Sequence, residues 1–441
     1  MCECSDETVM DITTPRNASL SGFYKRSFAY DTIKERLPLI LTQTIDILVR
    51  NKEDIVKEYG VGAKEELKEV IGEISKLKYE IQTNKPMRNI TSNASDASLY
   101  NQYLAKQTNV TYFTTIWLFA ECYMYRRIRE AFELTKYLHS HDPFAIQKQE
   151  AFNSSYGAMI ELGKYLVSTF EEDAQTKNTK EEFIKLLKLN LWGNKCDLSF
   201  SAGVITDSCN PLILLSQLQP NIVSDHSEEV WLAASDLESS SQIIDIVLDN
   251  SGYELFTDLC LADFLIANKM AQKIRIYVKT IPWFVSDVTT PDFDWTLKEL
   301  NKSKDANLKL LAARWYKYVA CGAWDIIENE FFTLPIDYSF VAKDRSDLYK
   351  KFEEAKLIIF KGDLNYRKLF GEKNWDPTTP IIEGLCGFLP TKLATLRTIK
   401  CQLVCGLDKG VAEKVEKEAS DWQVSGNYGV IQYCGEVRPL T

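Results

Sequence analysis

Two aspartates and an asparagine stand at positions that suit a divalent cation. Asp249-Asn250 closes the apolar run Ile243-Ile244-Asp245-Ile246-Val247-Leu248. Asp287 closes a segment that starts Ile274-Arg275-Ile276-Tyr277-Val278 and passes through Lys279, Pro282 and Trp283. Their carboxylate and carboxamide oxygens are hard ligands of the kind Mg2+ or Mn2+ accepts. A third apolar run, Leu357-Ile358-Ile359-Phe360, leads into Lys361-Gly362-Asp363-Leu364-Asn365-Tyr366-Arg367, so another acid ends another run, now with an arginine behind it. Asp249, Asn250 and Asp287 could hold one cation, and Lys400, Arg367 and Asn365 a phosphate. The cation is needed because three carboxylates would otherwise repel the phosphate; it also polarises a phosphoryl oxygen and acidifies water. Gly252 would let backbone N–H groups approach an anion where the next helix begins, and Glu254 lies one turn on, facing the same mouth. The competing explanation for any one strand-end aspartate is a helix N-cap. Three of them in one half of the chain are harder to explain that way.

Apolar runs of this length, each followed by a turn and a helical pattern, read as buried strands of an open α/β sheet, where ligands sit beyond the carboxyl ends of the strands. From about Leu191 onward such runs alternate with helical ones, which predicts a mostly parallel sheet covered on both faces. Further strands are expected from Lys400 to Val404 and from Tyr428 to Tyr433, with a largely helical stretch from Lys302 to Phe332. The preceding segment, from Ser27 to about Trp192, is helical throughout. Ile33, Leu37, Ile40, Leu41, Ile45 and Leu48 share one face, and Arg126-Arg127-Ile128-Arg129 is expected on the solvent side of a helix. A length of 441 residues is too great for one core. The expected division is a disordered start (1–22), a helical domain (23–190) and an α/β domain (191–441) that carries the site, with Asn194 and Asp197 at the junction either lining its mouth or capping a helix.

Several engines are missing. The chain has no P-loop, no Gly-x-Gly-x-x-Gly cradle and no Gly-x-Ser-x-Gly elbow. With three histidines in all, Ser-His-Asp or Cys-His catalysis has little to work with. Asp292-Phe293-Asp294-Trp295-Thr296 matches the pattern of aspartyl-nucleophile phosphatases, but Thr289-Thr290-Pro291 before it is chemistry that opens a helix, so Asp292 reads as a capping residue. A formal net charge of −10 argues against nucleic-acid binding, and no apolar run is long enough for a membrane span. The first residues lack a signal peptide, and the eleven cysteines are scattered. Reduced thiols in a cytosolic or nuclear, unsecreted protein are the expectation.

Five blocks together resemble one known family: residues 191–197 (Leu-Trp-Gly-Asn-Lys-Cys-Asp), 247–254 (Val-Leu-Asp-Asn-Ser-Gly-Tyr-Glu), 279–287 (Lys-Thr-Ile-Pro-Trp-Phe-Val-Ser-Asp), 360–369 (Phe-Lys-Gly-Asp-Leu-Asn-Tyr-Arg-Lys-Leu) and Arg397-Thr398-Ile399-Lys400. The chain resembles the metal-dependent damage-control phosphatases, in particular their acidic residue methyltransferase-like, sugar-phosphate branch, from about Ser27 onward. The resemblance implies a Rossmann-like α/β/α sandwich behind an all-helical N-terminal domain. It implies Mn2+, Co2+ or Ni2+ on Asp249, Asn250 and Asp287, and substrate against Asp249, Asn250, Asp363, Leu364, Asn365, Tyr366, Arg367 and Lys400. The implied reaction is hydrolysis of fructose 1-phosphate and related hexose phosphates. Asp249, Asn250, Asp287, Asp363 and Lys400 would form the catalytic set, with Asp363 either orienting water or accepting a sugar hydroxyl. A second implied activity is methyl transfer from S-adenosylmethionine to glutamates of the replication sliding clamp, with Glu254 and Asp287 on the cofactor; the chain lacks the glycine-rich loop of common methyltransferases. A non-catalytic scaffold is the third reading, and the completeness of all five blocks counts against it.

Overall fold

The computed structural model describes residues 9–106, 109–171, 178–201 and 211–435. At its centre lie seven strands: β1 (Ile222–Asp225), β2 (Ile243–Val247), β3 (Lys273–Val278), β4 (Trp324–Glu328), β5 (Leu357–Lys361), β6 (Leu393–Thr398) and β7 (Gly429–Cys434). They pair in the order β1-β7-β6-β5-β2-β3-β4. β6, β5, β2, β3 and β4 run parallel, β7 is antiparallel to β6, and β1 is parallel to β7. The inner strands are buried on both faces, which is why they read as nearly unbroken apolar runs. Ile244, Ile246 and Ile359 pack into the core on one face, and Val247, Ile358 and Phe360 into the core on the other.

Four helices bear on the site: α1 (Trp117–Glu133), α2 (Thr179–Ser201), α3 (Tyr253–Ala267) and α4 (Gly362–Leu369). α1 belongs to a layer running from Leu20 to Phe144 that shares its core with one sheet face, while α2 and α3 cover the opposite face. The α/β class with a helical N-terminal region is as expected, but the division into domains is not. The boundary at residue 190 falls inside α2. The segment 23–190 does not close on a core of its own; its first part packs on one sheet face and its last part on the other. Among the described residues no helix is long and apolar enough to cross a membrane.

Four further expectations change. Residues 9–22 are not loose: Leu20 is 1% exposed, and Ser19 and Ser21 form antiparallel bridges to Lys373 and Ile116. The segment from Lys400 to Val404 is a buried loop, and the strand lies before it, as β6. β4 interrupts the stretch from Lys302 to Phe332; it is an edge strand with a single fully buried residue, Trp324, too little to mark it in the sequence. Arg126 and Arg127 do not face solvent. Arg126 meets Asp96 at 2.7 Å and Glu133 at 2.9 Å, and Arg127 pairs with Glu130. Buried guanidinium groups are tolerable there because carboxylates meet them. Asp292 behaves as expected: Thr289 and Asp292 form a capping box, with Thr289 N donating to Asp292 Oδ2 at 2.9 Å.

Candidate active site

The parallel strands deliver the predicted residues side by side. Asp249 lies two residues beyond β2, Asp363 two beyond β5 and Lys400 two beyond β6, and these strands are neighbours in the sheet. Asp287 arrives on the loop after β3, and an isolated antiparallel bridge joins it to Asn250. That loop is strained. Phe284 (φ 44°) and Val285 (φ 69°) are both left-handed, a costly state for a β-branched residue. Contacts on both sides hold it: Ser251 N donates to Ser286 O at 2.8 Å, Val288 N to Asp249 O at 2.9 Å, and Phe284 stacks on Tyr125 of α1 at 4.6 Å.

A cavity of about 430 Å³ opens over these strand ends. Asp249, Asn250, Asp287, Asp363, Leu364, Arg367, Lys400 and Asn194 line it from below; Arg36, Gln43, Trp117, Glu121 and Tyr125 of the helical layer line it from above. Two glycines make the approach possible. A Cβ on Gly362 would lie 1.9 Å from Asp249 Oδ2, and one on Gly193 would lie 2.9 Å from Glu254 Cα, where α2 crosses α3. The three strand-end aspartates are not helix caps. Gly252 and Thr289 occupy the cap positions after Asp249 and Asp287, and α4 has no side-chain cap at all.

The acids differ in their surroundings. Burial, and then the charges of Asp287 and Glu254, push the Asp249 carboxyl well above the usual range; Lys279 and Lys400 offset only part of this. Its Oδ2 accepts a hydrogen bond from Asn250 Nδ2 at 2.7 Å. Burial also raises Asp287, although Lys279 sits 2.9 Å from its Oδ2. For Asp363 burial works the same way, yet Arg397 and Arg367 outweigh it and hold the carboxyl below its ordinary value. Arg397 Nε donates to Asp363 Oδ1 at 2.7 Å.

Other predicted residues are placed differently. Asn365 and Tyr366 do not line the cavity. Asn365 Nδ2 donates to Lys361 O at 2.8 Å, and the Tyr366 hydroxyl donates to Gln432 Oε1 at 3.0 Å. On a helix, positions 363, 364 and 367 share a face that 365 and 366 leave. Glu254 does not line the cavity either. Its Oε2 accepts from Asn250 Nδ2 at 2.9 Å and its Oε1 from Lys361 Nζ at 3.2 Å. The side chain of Asp197 lies outside the described residues.

Arg367 reaches the cavity but is not a free cation: Glu372 takes Nε at 2.9 Å, Glu121 takes NH1 at 2.5 Å, and the Trp117 ring lies 3.8 Å away. A guanidinium has five N–H donors, so donors remain for a ligand. Sequence reasoning gave no role to Arg397, Lys279, Glu121 or Arg36. Arg397 lies in a strand that the sequence did not mark, and the helical-layer residues are remote from the strands in the chain, so neither carried a signal.

The donor set suits a divalent cation. Among the described residues no group of three or more His, Cys, Asp or Glu is arranged to hold a metal, but the candidate seat is two carboxylates and a carboxamide. Burial and neighbouring acids raise the proton affinity of Asp249 and of Asp287 in spite of Lys279, and a cation would supply the missing positive charge. Asn250 presents nitrogen to Asp249 while its Oδ1 accepts from Ser286, so ligation through oxygen requires the carboxamide to turn over.

Residues 32–415 match the family model of the damage-control phosphatase ARMT1-like domain. The chain belongs to this family. It is 41% identical over 436 residues to the damage-control phosphatase ARMT1 of Danio rerio, covering 95% of this chain and 97% of that one. The human protein of the same name is 40% identical over 434 residues, at 95% and 98% coverage. A solved structure, a DUF89 family protein from Pyrococcus horikoshii, is 15% identical, covers 88% of this chain and 96% of its own, and superposes with a TM-score of 0.42.

Proposed function

We propose that the protein is a divalent-metal-dependent phosphatase of small sugar phosphates, with fructose 1-phosphate as the representative substrate and Mn2+, Co2+ or Ni2+ as the ion. The observation that supports this most is the convergence of Asp249, Asn250 and Asp287 with Lys400 on one cavity. The relatives named as phosphatases support it as well. Asp249, Asn250 and Asp287 would hold the ion, which supplies Lewis-acid polarisation of the phosphoryl group. Lys400, half-buried and hydrogen-bonded to neutral Asn194, meets the phosphate as a point charge, and the remaining donors of Arg367 orient it. Asp363 is held ionised by Arg397, which makes it a weak base and a good acceptor; it positions the sugar by taking hydrogen bonds from hydroxyls. The helical layer excludes water from above.

The test is phosphate release from fructose 1-phosphate by the purified chain with Mn2+, Co2+ or Ni2+, followed by chelator. Metal-dependent release that the chelator stops supports the reading. No release with any of the three ions, or methyl transfer from S-adenosylmethionine to a protein acceptor without phosphate release, overturns it.

A further inference from the structure

The segment at residues 17–21 ties together everything that holds Arg367. On one side it pairs with the turn after α4: Asn17 N donates to Asn374 O at 2.9 Å, Asn374 N to Ala18 O at 2.9 Å and Leu20 N to Glu372 O at 2.8 Å. On the other side Leu20 O accepts from Trp117 N at 2.9 Å, and the Ser21 hydroxyl donates to Thr115 O at 2.6 Å. Trp117 opens α1, so the Leu20 carbonyl serves one of the amides that a helix start leaves without a partner. Glu372, Glu121 and the Trp117 ring are the walls around the Arg367 guanidinium. Glu372 itself is left-handed, with φ 52°, a backbone state that an L residue keeps only when its surroundings enforce it. The strap's hydrogen bond falls on that residue's carbonyl. Residues 17–21 lie ahead of the region matched by the family model, which starts at residue 32.

We infer that Leu20 is a positioning residue: through its backbone N–H and C=O it fixes Glu372 and Trp117, and so sets the geometry in which Arg367 meets the substrate's phosphate. The inference rests on the reading of the cavity as a phosphate site. The phosphate's partner is chosen by Arg367, and the strap's task is to keep that guanidinium from turning wholly onto one of its two carboxylates.

The test uses the full chain with Mn2+ and compares Leu20→Pro, which deletes the N–H to Glu372, with Leu20→Ala, which keeps both backbone bonds. Leu20→Pro is expected to raise KM for fructose 1-phosphate about tenfold with kcat nearly unchanged, and Leu20→Ala to leave KM alone. In an Arg367→Lys background Leu20→Pro should add nothing, because the residue it acts through is already gone. Should Leu20→Pro fail to fold, Asn374→Ala, which removes the side-chain bond to Thr14 O at 2.7 Å, loosens the same ribbon and should raise KM in the same way. An equal KM effect from proline and alanine, an effect that persists without Arg367, or no effect at all overturns the inference. Absence of turnover in the unmodified chain overturns the phosphatase reading instead, and the strap is then judged by the affinity of the same variants for inorganic phosphate, with a tenfold loss in Leu20→Pro expected and none contradicting it.

Discussion

The floor and the wall of the cavity hold the same residue type under opposite conditions. On the wall every carboxylate meets a guanidinium: Asp363 has Arg397, and Glu121 and Glu372 share Arg367. On the floor Asp249, Asp287 and Glu254 lie close together; Lys279 pairs with Asp287 and Lys361 with Glu254, while Asp249 has no ion pair among the described residues. The wall is a finished set of ion pairs that gives shape. The floor leaves Asp249 short of positive charge, which fits the proposed metal ion. A buried acid without a counter-charge destabilises the protein that carries it, so keeping one at a strand end points to a ligand that completes it.

The comparison breaks most visibly at Asp249. Asp249→Asn should lower phosphate release on the order of 10³-fold, since several kcal/mol of charge stabilisation goes with the ion. Without metal the same variant should unfold at higher denaturant concentration than the unmodified chain, because a repulsion is gone. Loss of both activity and stability would mean that Asp249 is structural. On the wall the sign reverses: Arg397→Gln leaves Asp363 buried without its partner and should cost about 3–5 kcal/mol in chemical denaturation. A cost below 1 kcal/mol would show that the wall is not built as described. Lys400→Ala should raise KM for the sugar phosphate roughly thirtyfold, the worth of one charged hydrogen bond, with stability unchanged. The smallest effect is a pH slope. Burial pushes Asp258 up to about 7 despite Lys361 Nζ at 2.9 Å from its Oδ1. Its stabilising contribution is complete below the ordinary carboxyl pKa and is lost as pH rises through about 7. Asp258→Asn should therefore flatten the fall in denaturation midpoint between about pH 4 and 7. An unchanged slope would place the titration elsewhere.

The floor was legible in the sequence because β2, β3 and β5 are mostly apolar runs, and those of β2 and β5 stop just before an acid. β6 was not, because Leu393–Thr398 carries threonines and Arg397, while the apolar residues that follow it are a buried loop. Apolar runs report burial, and burial alone does not separate strand from loop. On α4 the whole stretch from Asp363 to Arg367 read as substrate-binding; helical geometry turns Asn365 and Tyr366 away. The roof left no trace, since Arg36, Glu121 and Tyr125 are remote from the strands in sequence. The polar start misled for a different reason: Asn17 to Ser21 are held largely by backbone hydrogen bonds, which any side-chain composition can make.

Equilibrium binding of Mn2+ to the purified, chelator-stripped chain, read by the loss of free-ion electron paramagnetic resonance signal, bears most directly on the floor. One ion per chain is expected, with at least about a tenfold weaker affinity in Asp249→Asn and in Asp287→Asn, as ligand loss requires. An unmodified chain that binds no ion, or variants that bind it equally well, would contradict the cation seat and the chemistry built on it.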